Sequence, residues 1–120
     1  MANEINITIA TTLANPVDSA SGGVRINQTT AGFFSAVVAT STSEAAFPSS
    51  GLGTNGLMVL QNLDTTNDID YGPASGGSMV AAGTLKANGT PHLIYCKSTA
   101  TFRHKASAGT PKLLIRIYEV

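Results

Sequence analysis

Apolar and polar residues alternate at the beginning of the chain. Ile5, Ile7 and Ile9 are each separated by one polar residue. A period of two is the pattern of a β-strand with one buried face. The pattern therefore predicts an extended N-terminal strand or arm over residues 1–13, and the three isoleucines are candidate interaction residues. Packing inside the chain's own core is an equally good interpretation of the same pattern.

Further strand patterns follow along the chain, separated by turn-forming residues. Residues 14–23 favour a loop, and residues 43–56 form a long polar connection rich in Pro and Gly, typical of a mobile loop. Asn88-Gly89 is a strong hairpin signal, because both residues tolerate a positive φ, and residues 78–85 and 92–97 would be its arms. The predicted strands are residues 24–28, 33–42, 56–63, 69–71, 78–85, 92–97, 101–106 and 112–119.

These strands recur at intervals of about 8–12 residues, which is typical of sandwiches and barrels. We therefore predict an all-β fold, an antiparallel β-sandwich or jelly roll of about eight short strands, in a single domain over residues 1–120. Helix signals are weak: only residues 43–47 could form a turn of helix, and Pro48 would end it. The length of 120 residues is enough for a core, since such a chain buries roughly 65% of its extended surface.

Charge is sparse and unevenly placed. Charged residues make up 12% of the chain, about half the usual share of roughly 25%. Residues 1–70 carry one base and six acids, whereas residues 71–120 carry six bases and one acid. Either the two halves meet within one fold, or the subunit has two faces of opposite sign that suit self-association or docking.

No residue pattern indicates a catalytic or cofactor site. Residues 51–56 match G-x-G-x-x-G, but they lead into a strand rather than a helix, so a flexible loop is the better interpretation. His92 and Cys96 would lie roughly 13 Å apart on one strand, too far to bind one ion, and Cys96 is predicted to be a buried, inert thiol. We predict that the protein is not an enzyme and binds no cofactor.

An acidic cluster is the remaining candidate for a metal site. Asp64, Asn67, Asp68 and Asp70 lie within seven residues, and clustered oxygen ligands can bind calcium. The cluster lacks the spacing of an EF-hand. A turn whose Asp and Asn side chains cap their own backbone is the favoured interpretation, and no metal is predicted.

The basic residues of the second half suggest a contact surface. The strand at residues 101–106 would point Phe102 and His104 to one side and Arg103 and Lys105 to the other, with His104 an exposed imidazole. Arg103, Lys105 and Lys112 are candidate interaction residues. The neutral net charge and the absence of Trp argue against nucleic acid as the partner. No apolar run approaches 18 residues and no secretion signal is expected, so no membrane partner is predicted.

The order of motifs in the second half resembles that of small structural-module proteins of tailed bacteriophages. The likeness extends over about residues 57–119. An apolar strand opens it, and it continues through Asn62-Leu63-Asp64-x-x-Asn67, Tyr71-Gly72-Pro73, Leu85-Lys86-Ala87-Asn88-Gly89, an apolar strand at His92–Tyr95, Ala106-Ser107-Ala108-Gly109-Thr110-Pro111-Lys112-Leu113 and a closing aliphatic strand with Glu119.

The resemblance implies a virion protein assembled in the host cytoplasm, most simply a capsid decoration (cement) protein. Such a protein would form a homo-oligomer, with a trimer favoured, and would stabilise the shell through non-covalent contacts with the major capsid protein or other virion proteins. A neck, adaptor or tail component is the alternative within the same class. A soluble ligand- or carbohydrate-binding β-sandwich is the alternative from another class, with Tyr71 as its stacking aromatic.

Overall fold

The computed structural model describes residues 33–48, 56–95 and 102–119, together with the backbone of Asn3–Thr12 and Ser19–Gln28. These residues contain strands and no helix, which confirms the all-β fold class. The strands are β1 (Asn3–Thr12), β2 (Ser19–Gln28), β3 (Phe33–Ala39), β4 (Ala45–Ala46), β5 (Leu57–Asn62), β6 (Ile69–Ser75), β7 (Ser78–Met79), β8 (Gly83–Leu85), β9 (His92–Tyr95), β10 (Phe102–Ala106) and β11 (Lys112–Tyr118).

Nine of these strands form two antiparallel sheets. The four-stranded sheet has the order β3-β11-β5-β9, so the last strand of the chain lies at its interior. In the five-stranded sheet, β10 lies between β4 and β6, and β6 pairs on its other side with both β7 and β8. The two sheets therefore draw on all the described strands from β3 to β11.

One hydrophobic core joins the two sheets in a sandwich-like arrangement. Alternate residues of β11 point into it, which is why Leu113, Ile115 and Ile117 have no exposed surface. Half-buried Phe34 and Val38 of β3 pack against this core. The complete cluster comprises Met58, Leu60, Leu113, Ile115 and Ile117 from the four-stranded sheet and Ile69, Tyr71 and Leu85 from the five-stranded sheet.

The N-terminal strands β1 and β2 form a separate two-stranded sheet. All ten residues of β1 pair antiparallel with β2, from Asn3 opposite Gln28 to Thr12 opposite Ser19. The predicted N-terminal strand is therefore present, and its partner is the next strand of the chain. The prediction of a loop over residues 14–23 was wrong for its last five residues, because β2 begins at Ser19.

The Asn88-Gly89 turn forms, but the predicted hairpin around it does not. Asn88 has a φ of 53°, and the Gly89 N–H donates to the Lys86 carbonyl at 2.9 Å. The strands on either side belong to different sheets, because β8 pairs with β6 and β9 pairs with β5. The turn at Asn88-Gly89 was predicted correctly. Which strands pair with one another is decided by their burial in the core.

Two further boundaries differ from the sequence prediction. Strand β6 does not stop at Gly72-Pro73 but continues to Ser75, because Gly72 allows a close approach of the backbone around Val80. A Cβ at Gly72 would lie 1.9 Å from the Val80 carbonyl oxygen. Residues 43–47 could have formed a turn of helix. Ala45–Ala46 is extended instead, because β4 pairs with β10.

The core can be tested by comparing two leucines of the same sheet. We expect Leu60→Ala to lower the free energy of unfolding by about 2–5 kcal/mol, since it removes a fully buried side chain and leaves a cavity. Leu93 lies on β9 and is 39% exposed. Leu93→Ala should therefore lower the free energy of unfolding by well under half as much. Urea unfolding measures both values, and equal losses would contradict this assignment of the core.

Candidate functional site

The outer face of the four-stranded sheet is the candidate functional site. Side chains on a strand alternate between its two faces, so the residues between the core positions point away from the five-stranded sheet. The register places Phe33 beside Tyr118 and Tyr95 beside Leu57 in one row, and Ser35, Arg116, Val59 and Leu93 in the next. We define the apolar outer face as Phe33, Val37, Val59, Leu93, Tyr95 and Tyr118.

Several of these side chains lie in solvent although they are large and apolar. Tyr95 is 63% exposed, Phe33 and Val37 are each 53% exposed, and Leu93 is 39% exposed. Phe33 also packs on Tyr118, with ring centroids 5.0 Å apart. Leu57, in the same row as Tyr118 and Tyr95, has no exposed surface, and Arg116 lies between Ser35 and Val59. Exposed large apolar side chains gathered on one face are a feature of interaction sites.

The outer face of the five-stranded sheet is polar by comparison. On its strands, Asp70 accepts a hydrogen bond from the Thr84 hydroxyl at 2.6 Å and lies opposite Lys105 in the register. Arg103 lies 3.7 Å from the Glu44 carboxylate. An antiparallel sheet with one face on the core normally has a polar face towards water. The five-stranded sheet follows this rule, whereas the outer face of the four-stranded sheet carries exposed apolar side chains beside Ser35 and Arg116.

The predicted interaction residues are divided between these surfaces. Arg103 and Lys105 point outward from β10, as predicted, and Lys112 is exposed at the start of β11 in the other sheet. The three bases therefore do not form one patch within a single sheet. The ion pairs of Arg103 with Glu44 and of Lys86 with Asp68 join the basic half to the acidic half, as expected if the two halves meet within one fold.

The predicted isoleucine positions lie on β1. The register places Ile5 opposite Ile26 and Ile7 opposite Val24, whereas the intervening Asn6 lies opposite Arg25. This is the backbone arrangement of an amphipathic two-stranded ribbon. Cys96 and Lys97 lie outside the described residues, as do residues 51–55 of the glycine-rich motif.

Part of the sequence that carries the resemblance meets in one hydrogen-bonded group around Asn62. Asn62 is buried at the end of β5, and its amide donates to the carbonyls of Asn67 at 2.8 Å and Leu85 at 3.1 Å. Its Oδ1 accepts from the backbone N–H of Asp64 at 3.0 Å. Asn88 then closes the group, because its N–H donates to the Asp64 carbonyl at 3.0 Å.

The acidic cluster acts as the predicted backbone-capping turn. The Asp64 carboxylate accepts from the N–H groups of Asn67 and Thr66, which lower its pKa. The Asp68 carboxylate accepts from Lys86 at 2.7 Å, and this contact lowers the pKa of Asp68 and raises that of Lys86. Among the described residues, no group of three or more His, Cys, Asp or Glu side chains could hold a metal ion.

Both histidines join the two sheets through hydrogen bonds. His104 is 3% exposed and shares a 3.0 Å hydrogen bond with the Thr40 hydroxyl, so the prediction of an exposed imidazole was wrong. Its charged neighbours point outward, whereas its own side chain packs beside the Phe47 ring. Burial lowers the pKa of His104.

The second bridge joins Tyr71 to His92. The Tyr71 hydroxyl lies 2.8 Å from His92 Nδ1, and burial raises the pKa of the phenol. Tyr71 is buried on the inner face of β6, so it is not available as a stacking platform for a sugar, and that prediction was wrong.

Comparisons with family models, with curated proteins and with solved structures found no match. Within the described part of the chain, there is no helix with the length and apolar character that crossing a membrane requires. The surfaces of this chain and the resemblance described above are therefore what indicates a function.

Sequence reasoning did not identify the apolar outer face. A signal was present, because residues 113–118 and 57–60 are apolar in nearly continuous runs rather than in alternation. Such runs are typical of strands covered on both faces. Recognising one shared surface also required the strand order, which brings Phe33 and Tyr95 to the same face of one sheet from opposite edges.

The Asn62 amide can be tested against a neighbouring residue. We expect Asn62→Ala to lower the free energy of unfolding by about 2–4 kcal/mol, since it leaves buried carbonyls without a donor. The matched control is Gln61→Ala on the same strand, at a half-buried outward position, which should cost less than about 1 kcal/mol. Chemical unfolding measures both variants. Equal losses in the free energy of unfolding would contradict the role of Asn62.

The buried His104 predicts a pH dependence of stability. The pKa of His104 is lower in the folded protein than in the unfolded chain. Its contribution to stability is therefore fully present above the pKa of the unfolded chain, about 6.5. That contribution is lost as the pH falls through the folded pKa. We expect the free energy of unfolding to decrease from pH 7 to pH 5 in the natural protein and to change less in His104→Asn. Unfolding curves measured across this pH range test the prediction. The control is His92→Asn, which keeps His104 and should keep the pH dependence of the natural protein.

Proposed function

We propose that this chain is a virion structural protein, a capsid decoration protein that stabilises the shell through non-covalent contacts. The observation that carries the proposal is the apolar outer face. A domain of 120 residues that leaves aromatic and aliphatic side chains exposed across one sheet has a surface suited to contact with other protein chains.

The resemblance supplies the class of assembly. Several of the motif residues that carry it form the hydrogen-bonded group around Asn62, which fixes the loop after β5 and the turn before β9. This group has a structural role, because its polar atoms form hydrogen bonds with one another. The proposal therefore assigns those residues to holding the domain in shape and assigns contact with partners to the apolar outer face.

The mechanism needs no chemical step. Burying apolar surface releases roughly 25 cal/mol per Å², and many identical copies on a shell would each add one such contact. Tyr95 and Phe33 are suited to this role, because aromatic side chains give large contact areas at low cost in conformational entropy. A neck or tail component would use the same contacts at a far lower copy number.

Quantitative mass spectrometry of purified virus particles from the source of this gene tests the proposal. We expect this chain at a copy number comparable to that of the major capsid protein. A reproducible ratio far below that value would favour a neck or tail position instead. Absence of the chain from particles, with the protein present in the infected cell, would contradict the virion assignment.

A further inference from the structure

Strand β3 is an edge of the four-stranded sheet, and its only partner among the described strands is β11. The Thr40 N–H donates to the Pro111 carbonyl at 2.8 Å, directly after the last residue pair of this register. Bonding residues alternate along an antiparallel strand, so the even-numbered residues of β3 bond to β11 and the odd-numbered residues point their N–H and C=O groups away from it. In the described part of the chain, the backbone groups on this open side belong to Phe33, Ser35, Val37 and Ala39.

The sequence of β3 contains none of the features that usually protect a sheet edge. Such edges are normally short, or they carry Pro, a bulge or charged side chains. β3 reads Phe-Phe-Ser-Ala-Val-Val-Ala, and its register with β11 is continuous over all seven residues. The other described edges are shorter, because β9 has four residues and β4, β7 and β8 have two or three. Of these edges, β3 is therefore the one best suited to accept another strand.

The hydrophobic core is also incompletely covered at β3. Phe34 and Val38 point inward and pack against the core, but both are only half-buried. On the neighbouring β11, Ile115 and Ile117 have no exposed surface. A strand added outside β3 would place its own inward side chains beside Phe34 and Val38. The added strand would therefore bury apolar surface as well as pair the backbone.

We propose that β3 pairs antiparallel with β3 of a second copy of the chain, around a two-fold axis through Ala36. The two four-stranded sheets then become one continuous sheet across the dimer. The proposal goes beyond the proposed function and does not depend on it, because the contact is a property of the purified protein.

The sequence of β3 matches itself in this register. With the axis at Ala36, each odd-numbered residue faces an odd-numbered residue of the second copy, so the outward N–H and C=O groups find partners. Phe34 lies opposite Val38 of the second copy on the inner face, and an aromatic residue opposite a β-branched one is a favourable cross-strand pair. The small Ala36 side chains meet on the axis, where the two strands form a closely spaced pair. This self-complementarity favours a second copy as the occupant of the edge.

Charge does not oppose the pairing. β3 carries no charged residue, and the bases Lys112 and Arg116 lie one strand further into the sheet, on β11. Across the dimer, the two β11 strands would be three strand spacings apart, or about 14 Å. This distance exceeds the Debye length of about 8 Å at physiological ionic strength, so the repulsion between these bases is largely screened.

The open side of β3 permits a variant that is selective for the contact. Val37→Pro removes an outward N–H, and Pro is tolerated on an edge strand where the N–H would face solvent. The hydrogen bonds to β11 come from the even-numbered residues and remain in place. The matched control is Leu93→Lys, which changes an exposed residue at the opposite edge of the same sheet, on β9.

Sedimentation equilibrium of the purified full chain measures the association of the natural protein and of both variants. We expect the natural protein to form a dimer of 12.3 kDa chains. Val37→Pro should associate at least about tenfold more weakly, since each copy loses one hydrogen bond of the contact. Leu93→Lys should associate as the natural protein does. Circular dichroism spectra show whether each variant is folded.

Residue-resolved amide hydrogen exchange tests the register in the natural protein, independently of any variant. We expect the amides of Ser35, Val37 and Ala39 to exchange at least about tenfold more slowly at concentrations where the dimer forms than at concentrations where the chain is monomeric. The amides of Ala36 and Val38 are already bonded to β11 in the monomer and should change less.

Other results would overturn the proposal in distinguishable ways. A natural protein that stays monomeric at all concentrations would leave the edge to a strand of another protein. A trimer, which the resemblance favours, would also contradict a two-fold contact. A dimer weakened by Leu93→Lys but not by Val37→Pro would show that outer faces pack on each other instead. A dimer with protected β3 amides that is absent from virus particles would contradict the proposed function while leaving the β3 contact intact.

Discussion

Strand β11 is the element on which the rest of the structure depends. It lies between β3 and β5, and its inward residues Leu113, Ile115 and Ile117 have no exposed surface. Its pairing with β3 brings together strands that are separated by most of the described sequence. The pairing of β11 with β3 spans most of the described chain, so folding requires contacts between residues far apart in sequence, which is typical of slow-folding β proteins.

Polar contacts then fix how the two layers sit on this core. The Asn62 amide reaches the Leu85 carbonyl, the Tyr71 hydroxyl reaches His92, and Thr40 reaches His104. Each contact joins a residue in or next to one sheet to a residue of the other. Burying a polar group is unfavourable unless it is paired, so these contacts favour one relative placement of the sheets. The histidines thus serve the packing of one sheet on the other.

Much of the fold could be predicted from local pattern, and what could not be predicted depends on long-range pairing. The strands around Leu60 and Ile115 were recognised from apolar runs between turn residues, and Asn88 adopts the predicted positive φ. His104 was misjudged because its neighbours are charged, although its alternation with Phe102 was recognised. Its burial depends on the facing sheet, which no local pattern reveals. The apolar outer face also requires the strand order, since its members come from four separate strands.

The contrast between the two outer faces constrains any account of what this protein does. A face that only met water would gain nothing from Tyr95 or Phe33, whereas on the polar face of the five-stranded sheet Arg103 lies near Glu44 and Asp70 accepts from Thr84. Exposed aromatic side chains also raise the risk of non-specific association. That risk is lowest when a matching surface is always present at equal concentration. In a chain that acts alone such a face would be a disadvantage, and for this reason the proposed role places it against another protein.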